Sequence, residues 1–348
     1  MRRWLRSLAA AALLLGMVSA CGPPAVSAEL PRLAGFNVIQ SPGHPFGSPS
    51  AQRSLAEAKK LGANAIAIVP FLWQATPASP DPVRGKDMTD DDVRAAIRGA
   101  HALGLAVMVK PQIWVPQSWA GAIAMNFEEN WAQWFANYGG EIGHLAGIAA
   151  QENVEAFAIG TELSETSQRP EWNGLIDAVR KAYPGRLLYM AHNVEEAEKA
   201  PFWNRLDAIG VTLYPTLGAD DDRIGRLARM VETAQRLDAL SARANKPIIV
   251  GEIGLRSARG AAAKPWESAE ERTSVAAPEL QAEVLADWLT ILDRPSIRGV
   301  LIWRWLTDPG AGGSNDTDFT VQGKPAERIL RCSWALECGP GLMGARLH

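Results

Sequence analysis

Positive charge is not in surplus in this sequence. Lys and Arg number 35 against 38 Asp and Glu, for a formal net charge of −3. There is thus no basic footprint for nucleic acid. Histidine is scarce: the 5 present are scattered, and no His-Glu-x-x-His run signals a helix-borne metal site. No Gly-x-Ser-x-Gly elbow points to a serine nucleophile. Low-complexity tracts and short solenoid-type repeats are absent. Cysteine is rare, 3 in 348 residues. The apolar segment Leu8–Val18 is too short to span a bilayer comfortably.

What is there reads as globular: 47% hydrophobic, 21% charged, and long enough for one large domain or two ordinary ones. The first residues stand apart. Met1-Arg2-Arg3-Trp4-Leu5-Arg6 is a basic start, and Leu8–Val18 follows as the apolar core of a signal peptide. Val18-Ser19-Ala20-Cys21 then resembles a bacterial lipobox. It predicts a signal peptide over residues 1–20, lipidation of Cys21 and a linker over 21–32. A competing site, Val26-Ser27-Ala28 before Glu29, fits ordinary signal peptidase. Either cleavage implies export, to the periplasm or the outer membrane or cell surface of a bacterium. The lipobox adds a membrane anchor. Losing Arg2, Arg3 and Arg6 takes the charge from −3 to −6. In an oxidising compartment Cys332 and Cys338 suit a disulfide, with two free thiols as the alternative.

From residue 33 short apolar runs alternate with longer amphipathic segments. Strands are predicted over Leu33–Gln40, Ala63–Phe71, Leu105–Val115, Val154–Leu163, Arg186–His192, Asp207–Tyr214, Pro247–Leu255 and Ile297–Leu306. Helices follow over Ser50–Leu61, Asp90–Leu103, Glu128–Ala150, Glu171–Ala182, Val194–Leu206, Asp220–Ala244, Pro278–Leu292 and Pro325–Leu336. Eight such units predict an α/β fold of the (β/α)8 TIM-barrel type over residues 33–338, with a tail over 339–348. Gly62 and Gly104 stand where helices must end, and Asp90-Asp91-Asp92 and Asp220-Asp221-Asp222 where helices begin. A doubly wound sheet is the rival fold. Gly35, Gly43 and Gly47 lack the spacing of its phosphate turn.

A barrel of this kind works at the C-terminal ends of its strands. Those ends carry Asn37, Trp73, Lys110, Gln112, Trp114, Glu162, His192, Tyr214, Glu252, Trp303 and Trp305. Glu162 on the fourth strand and Glu252 on the seventh would face each other across the mouth. Two carboxyls about 5–5.5 Å apart are what a retaining glycosidase needs. Glu155 lies at the wrong end of its strand, and Glu165 falls in the following loop. The 13 tryptophans suit a sugar site, because the axial C–H faces of a pyranose stack on indole. Trp73, Trp114, Trp119, Trp266, Trp303 and Trp305 fall at strand ends or loops, while Trp131, Trp134 and Trp288 read as core. Trp303 and Trp305 alternate and should share a face, with Trp305 as the platform under the reacting sugar. Tyr214 could hydrogen-bond Glu252. Lys110, buried in an apolar run, needs a partner, and Gln112 shares its face. His192 could hold a sugar hydroxyl. The loops Arg256–Ala277 and Thr307–Gly323 are long enough to be functional. Asn315-Asp316-Thr317-Asp318 lacks the rest of a calcium-loop spacing, so no metal is expected.

Several of these segments resemble glycoside hydrolase family 113, in the large clan of retaining (β/α)8 glycosidases. The resemblance covers residues 33–332. It rests on Val109-Lys110-Pro111, Trp131 through Tyr138, Ile159-Gly160-Thr161-Glu162-Leu163, Tyr214-Pro215, Gly251-Glu252-Ile253-Gly254, Ile302-Trp303 and Gln322-Gly323-Lys324-Pro325-Ala326. It implies that Glu162 is the acid/base and Glu252 the nucleophile, with no cofactor. Most of the clan places Asn before the acid/base to hold the sugar 2-hydroxyl; here Thr161 stands there. The resemblance implies a β-1,4-mannan or another mannose-containing polysaccharide as substrate. The rival readings are a non-catalytic glycan-binding lipoprotein and a transglycosylase acting on the cell's own exopolysaccharide. Retention of both glutamates weighs against the first, since a binding module needs neither.

Overall fold

The structure is a computed structural model that describes residues 32–86 and 88–335. The signal segment, Cys21, Cys338 and the tail lie outside the described residues. Eight parallel strands close into a barrel: β1 (Leu33–Ile39), β2 (Ala65–Ile68), β3 (Ala106–Val109), β4 (Ala156–Thr161), β5 (Arg186–His192), β6 (Ile209–Leu213), β7 (Ile248–Ile253) and β8 (Ile297–Leu306). They follow one another around the ring in chain order, and β8 closes on β1 with Leu33 opposite Gly299. Helices α1 (Pro49–Lys60), α2 (Asp90–Ala102), α3 (Glu128–Gln151), α4 (Trp172–Ala182), α5 (Asn193–Lys199), α6 (Arg223–Ala244), α7 (Pro278–Ile291) and α8 (Ala326–Ala335) fall between and after the strands.

The strands read as unbroken apolar runs because helices cover one face and the lumen packing the other. Every residue of β4 and β7 is buried. In the lumen Met190 needs room from its neighbours. A Cβ on Gly210 or Gly251 would stand 2.5 or 2.4 Å from its sulfur. This accounts for the glycine just before Glu252. The helix signals hold where the acids and glycines fall. Thr89 and Asp92 form a capping box on α2, Asp222 caps α6 through the Gly225 N–H, and Gly62 and Gly104 take φ of 97° and 67°.

Two predicted strands are each two elements. Ala63–Phe71 breaks at Pro70, and Leu105–Val115 breaks at Pro111. Proline cannot donate to the ladder, so pairing in the barrel stops there. Beyond each proline the chain joins a small sheet outside the barrel. In it Phe71–Trp73 pairs parallel with Gln112–Trp114 and antiparallel with Val83–Arg84. The predicted helix Val194–Leu206 is α5 plus a separate 3₁₀ turn at Trp203–Arg205, interrupted at Pro201. Trp134 and Trp288 are fully buried and Trp131 nearly so.

The two long loops are fastened to each other. The Arg256 guanidinium donates to the Thr317 and Ser268 carbonyls at 3.0 and 2.9 Å. Buried Lys324 donates to Ser257 Oγ, Asp316 and the Asp318 carbonyl at 2.8, 2.6 and 2.9 Å. Arg304 pairs with Asp318. The acidic stretch that resembled a calcium loop thus has its carboxylates matched by Lys324 and Arg304. Cys332 lies on α8 and is disulfide-bonded. Among the described residues no helix is long and apolar enough to cross a membrane.

Candidate active site

Glu252 sits near the C-terminal end of β7 and is only 2% exposed. Both of its oxygens take a donor. Lys110, wholly buried just past β3, forms an ion pair with Oε1, and the Tyr214 hydroxyl donates to Oε2 at 3.0 Å. The lysine that needed a partner has one. Its Nζ also stands 5.5 Å from the Trp303 ring centroid, within cation–π range. Burial, then the charge of Glu252, pushes the Tyr214 phenol well above its usual range, so it acts only as a neutral donor.

Glu162 follows β4 directly, in a left-handed backbone conformation with φ of 57°. Its N–H bonds the Met190 carbonyl at 2.7 Å, and the next N–H, of Leu163, bonds the Tyr189 hydroxyl at 3.0 Å. A non-glycine residue held there costs about 1–3 kcal/mol, which the surrounding bonds offset. Its carboxyl meets donors on one oxygen only. Thr212 Oγ1 and His192 Nδ1 both reach Oε1, at 2.6 and 3.0 Å. Among the described residues no hydrogen bond falls on Oε2.

The tautomer of His192 follows from its neighbour. The Tyr214 N–H donates to Asn193 Oδ1 at 2.7 Å, which fixes that amide. Asn193 Nδ2 then donates to His192 Nε2 at 3.0 Å. The ring therefore carries its proton on Nδ1 and gives it to Glu162. Burial pushes the His192 pKa down and Glu162 pulls it up, with a net rise. The Asn193 bond opposes a second ring proton, and the geometry favours the neutral form. Burial also raises the Glu162 carboxyl, but His192 and Thr212 outweigh it and hold that carboxyl below its usual range. At Glu252 burial wins over Lys110, and the charge of Glu162 adds to the rise. Thr212 and Tyr214, two residues apart, bond Glu162 and Glu252 respectively, so both carboxyls stand beside the end of β6.

The other predicted residues divide. Gln112 is half-buried, and its amide oxygen lacks a partner among the described residues. Trp114 is exposed on the small sheet, and Trp119 meets the His192 ring at 4.8 Å between centroids, tilted by 60°. Trp266 is exposed in the loop after β7. Thr161 is buried and donates to the Pro111 carbonyl at 2.9 Å, so it ties β4 to the end of β3. Trp305 requires a correction. The β1–β8 register runs from Asn37 opposite Trp303 to Val38 opposite Trp305, leaving Arg304 out of the ladder. Alternation fails at that step, and the two indoles diverge. Trp303 lies over Lys110, whereas Trp305 packs on Phe36 at 4.8 Å and donates to Ser54 Oγ at 2.8 Å. It lines a hollow outside the barrel with Gln322 and Glu327, away from both glutamates. Trp305 is not a platform for sugar.

Three contributors were not picked from sequence. Thr212 shares the alternation of Tyr214 on one strand, and that parity could have revealed it. Asn193 and Glu196 gave no such signal. Glu196 is a buried carboxyl that accepts from Ser164, Tyr189 and the His192 N–H, bracing the turn behind Glu162. Among the described residues no group of three or more His, Cys, Asp or Glu could hold a metal.

The family profile of glycoside hydrolase family 113 matches residues 36–324. Among solved structures, the family 113 β-mannanase AaManA from Alicyclobacillus acidocaldarius, in complex with ManMIm, superposes with a TM-score of 0.79. It is 23% identical, over 88% of this chain and 98% of that one. Another family 113 β-1,4-mannanase gives 0.77 at 25% identity, over 88% and 99%. A β-glucuronidase from Ruminococcus gnavus gives 0.57 at 14% identity, over 87% of this chain and half of that one. No curated protein matches. A profile spanning most of the barrel, and both glutamates with it, makes the conclusion direct: this chain belongs to glycoside hydrolase family 113 and is a glycosidase.

Proposed function

We propose that this protein cleaves β-1,4-mannan, or a closely related mannose-containing glycan, with retention of configuration. The β-mannanase relatives support the substrate. The unequal surroundings of the two carboxyls support the roles. Glu252 has a donor on each oxygen, an arrangement that suits an ionised nucleophile. Glu162 has both donors on Oε1, leaving Oε2 to carry a transferable proton. In the first step a Glu252 oxygen bonds the anomeric carbon while Glu162 protonates the departing glycosidic oxygen, which keeps the bonding pair. In the second, Glu162 takes a proton from water as the water oxygen displaces Glu252 from the anomeric carbon.

In the free protein the pKa directions run opposite to these roles, with Glu162 lowered and Glu252 raised. His192, the group that lowers Glu162, is partly exposed at the cleft edge against Trp119. Sugar binding that excludes water from the mouth would raise the Glu162 carboxyl, in the direction an acid requires.

Glu252→Ala should abolish turnover on every substrate. Glu162→Ala should keep the first step on an aryl glycoside with a good leaving group, accumulate the glycosyl-enzyme and regain turnover with azide. Equal loss on activated and natural substrates, with no azide effect, would remove Glu162 from the role. We further propose that the protein is exported and anchored through lipidated Cys21. The Arg-rich start and Val18-Ser19-Ala20-Cys21 motivate this. Mass spectrometry of the mature N-terminus tests it: an unmodified chain beginning at Glu29 contradicts the anchor.

A further inference from the structure

The small sheet outside the barrel has a face that the chemistry above does not use. Along Phe71–Trp73 and Gln112–Trp114 burial alternates. Leu72 and Ile113 point inward and are buried, while Trp73 and Trp114 point outward at 38% and 51% exposure. The two tryptophans are paired across the ladder, with ring centroids 6.2 Å apart. On the other side Trp73 pairs with Val83, also exposed. Residues directly opposite in a ladder share a face, so Val83, Trp73 and Trp114 form one apolar row about 10 Å across.

This row is held from beneath. The Gln74 N–H bonds the Trp114 carbonyl at 3.0 Å. The Gln74 side chain accepts from the buried Trp134 indole at 2.8 Å and donates to the Thr76 carbonyl at 2.9 Å. The sheet is thus rigid without help from the exposed indoles. It is also continuous with the candidate active site. Trp114 is four residues beyond Lys110, a reach of at most ~13 Å along extended chain. Between them lies Gln112, whose amide oxygen lacks a partner among the described residues. Five consecutive residues thus lead from Lys110, the partner of Glu252, through Gln112 to the exposed indole of Trp114 and its neighbour Trp73.

We propose that Trp73 and Trp114 form a distal platform for the glycan chain, gripping sugar units remote from the bond that is cut. A pyranose offers the flat C–H face that indole stacks and the hydroxyl that Gln112 lacks. Continuity with the catalytic mouth favours the substrate's own chain over a protein partner. The proposal rests on the reading of the site as a polysaccharide hydrolase. It makes chain length, not only the sugar at the cleavage point, a determinant of activity.

The test compares wild type with Trp73→Ala/Trp114→Ala and Trp73→Phe/Trp114→Phe. Activity is measured on soluble galactomannan and on an aryl mannobioside too short to reach the sheet. Losing two stacking anchors should lower kcat/KM on galactomannan at least ~10-fold, mainly through KM. The aryl mannobioside should change less than ~2-fold, and the Phe pair should restore most of the loss. A double Ala variant equal to wild type on galactomannan overturns the platform, as does one equally impaired on both substrates. Thermal melting checks that the variant is folded. Electrophoresis in gels containing galactomannan, glucomannan or xylan reads binding without turnover. Wild type should be retarded by at least one polymer and the Ala pair by none. If mannan is bound but not cut, the hydrolase reading fails while the platform stands. If wild type passes all three gels unretarded, or sedimentation shows a dimer that the Ala pair abolishes, the platform is wrong.

Discussion

His192 decides how strongly Glu162 holds a proton. Its Nδ1–H and the Thr212 hydroxyl together hold the carboxyl below its usual range against burial. With Glu162 lowered and Glu252 raised in the free enzyme, the acidic limb of kcat/KM follows Glu162 and the basic limb follows Glu252. Removing a group that lowers Glu162 must raise its pKa. His192→Ala should therefore move the acidic limb to higher pH on a natural substrate, and an unmoved limb would show that His192 does not control Glu162. At this scale the sequence was legible where chemistry is unusual for its setting. A lysine in an apolar run demanded a partner, and the partner is Glu252. Two glutamates after apolar runs reached one mouth. It was illegible where backbone irregularity redirects a side chain. Nothing in Ile302-Trp303-Arg304-Trp305 announces that Arg304 drops out of the ladder and sends Trp305 toward Ser54. Nor does sequence say which acid of the pair Glu195-Glu196 is buried behind His192.

Among the elements, the loops after β7 and β8 are tied by two buried cations, Arg256 and Lys324. Lys324 joins Ser257, at the start of one loop, to Asp316 and Asp318 in the other. Lys324→Met keeps the aliphatic stem but leaves Asp316 and Ser257 without that donor, a cost of ~2 kcal/mol. The melting temperature should fall by several degrees, and limited proteolysis should cut within 256–277 or 307–323 before it cuts the barrel. A variant as stable and as protease-resistant as wild type would show that the loops do not need this tie. Element type and order were readable because apolar runs and amphipathic segments have different periods. Element ends were readable where glycine, proline or a capping residue marks them. Pro70 and Pro111 were visible too, but only the fold shows that both breaks feed one extra sheet. That sheet carries the exposed tryptophan pair, so a feature of the molecule's reach was hidden in two ordinary prolines.

Among the described residues a closed barrel carries two carboxyls at the C-terminal ends of its strands, with a small aromatic sheet outside it. Barrel closure sets residues 90 positions apart, Glu162 just past β4 and Glu252 on β7, at the C-terminal ends of their strands. The retaining mechanism is the central claim, and it has a direct stereochemical reading. Proton NMR of the anomeric signals, recorded within the first minutes of cleavage of a β-manno-oligosaccharide, reports the newly formed end before mutarotation scrambles it. Two displacements at one carbon should give the β-anomer first, with the α-anomer growing in only at the rate of mutarotation. The α-anomer as the first product would mean a single displacement by water and would contradict Glu252 as the nucleophile.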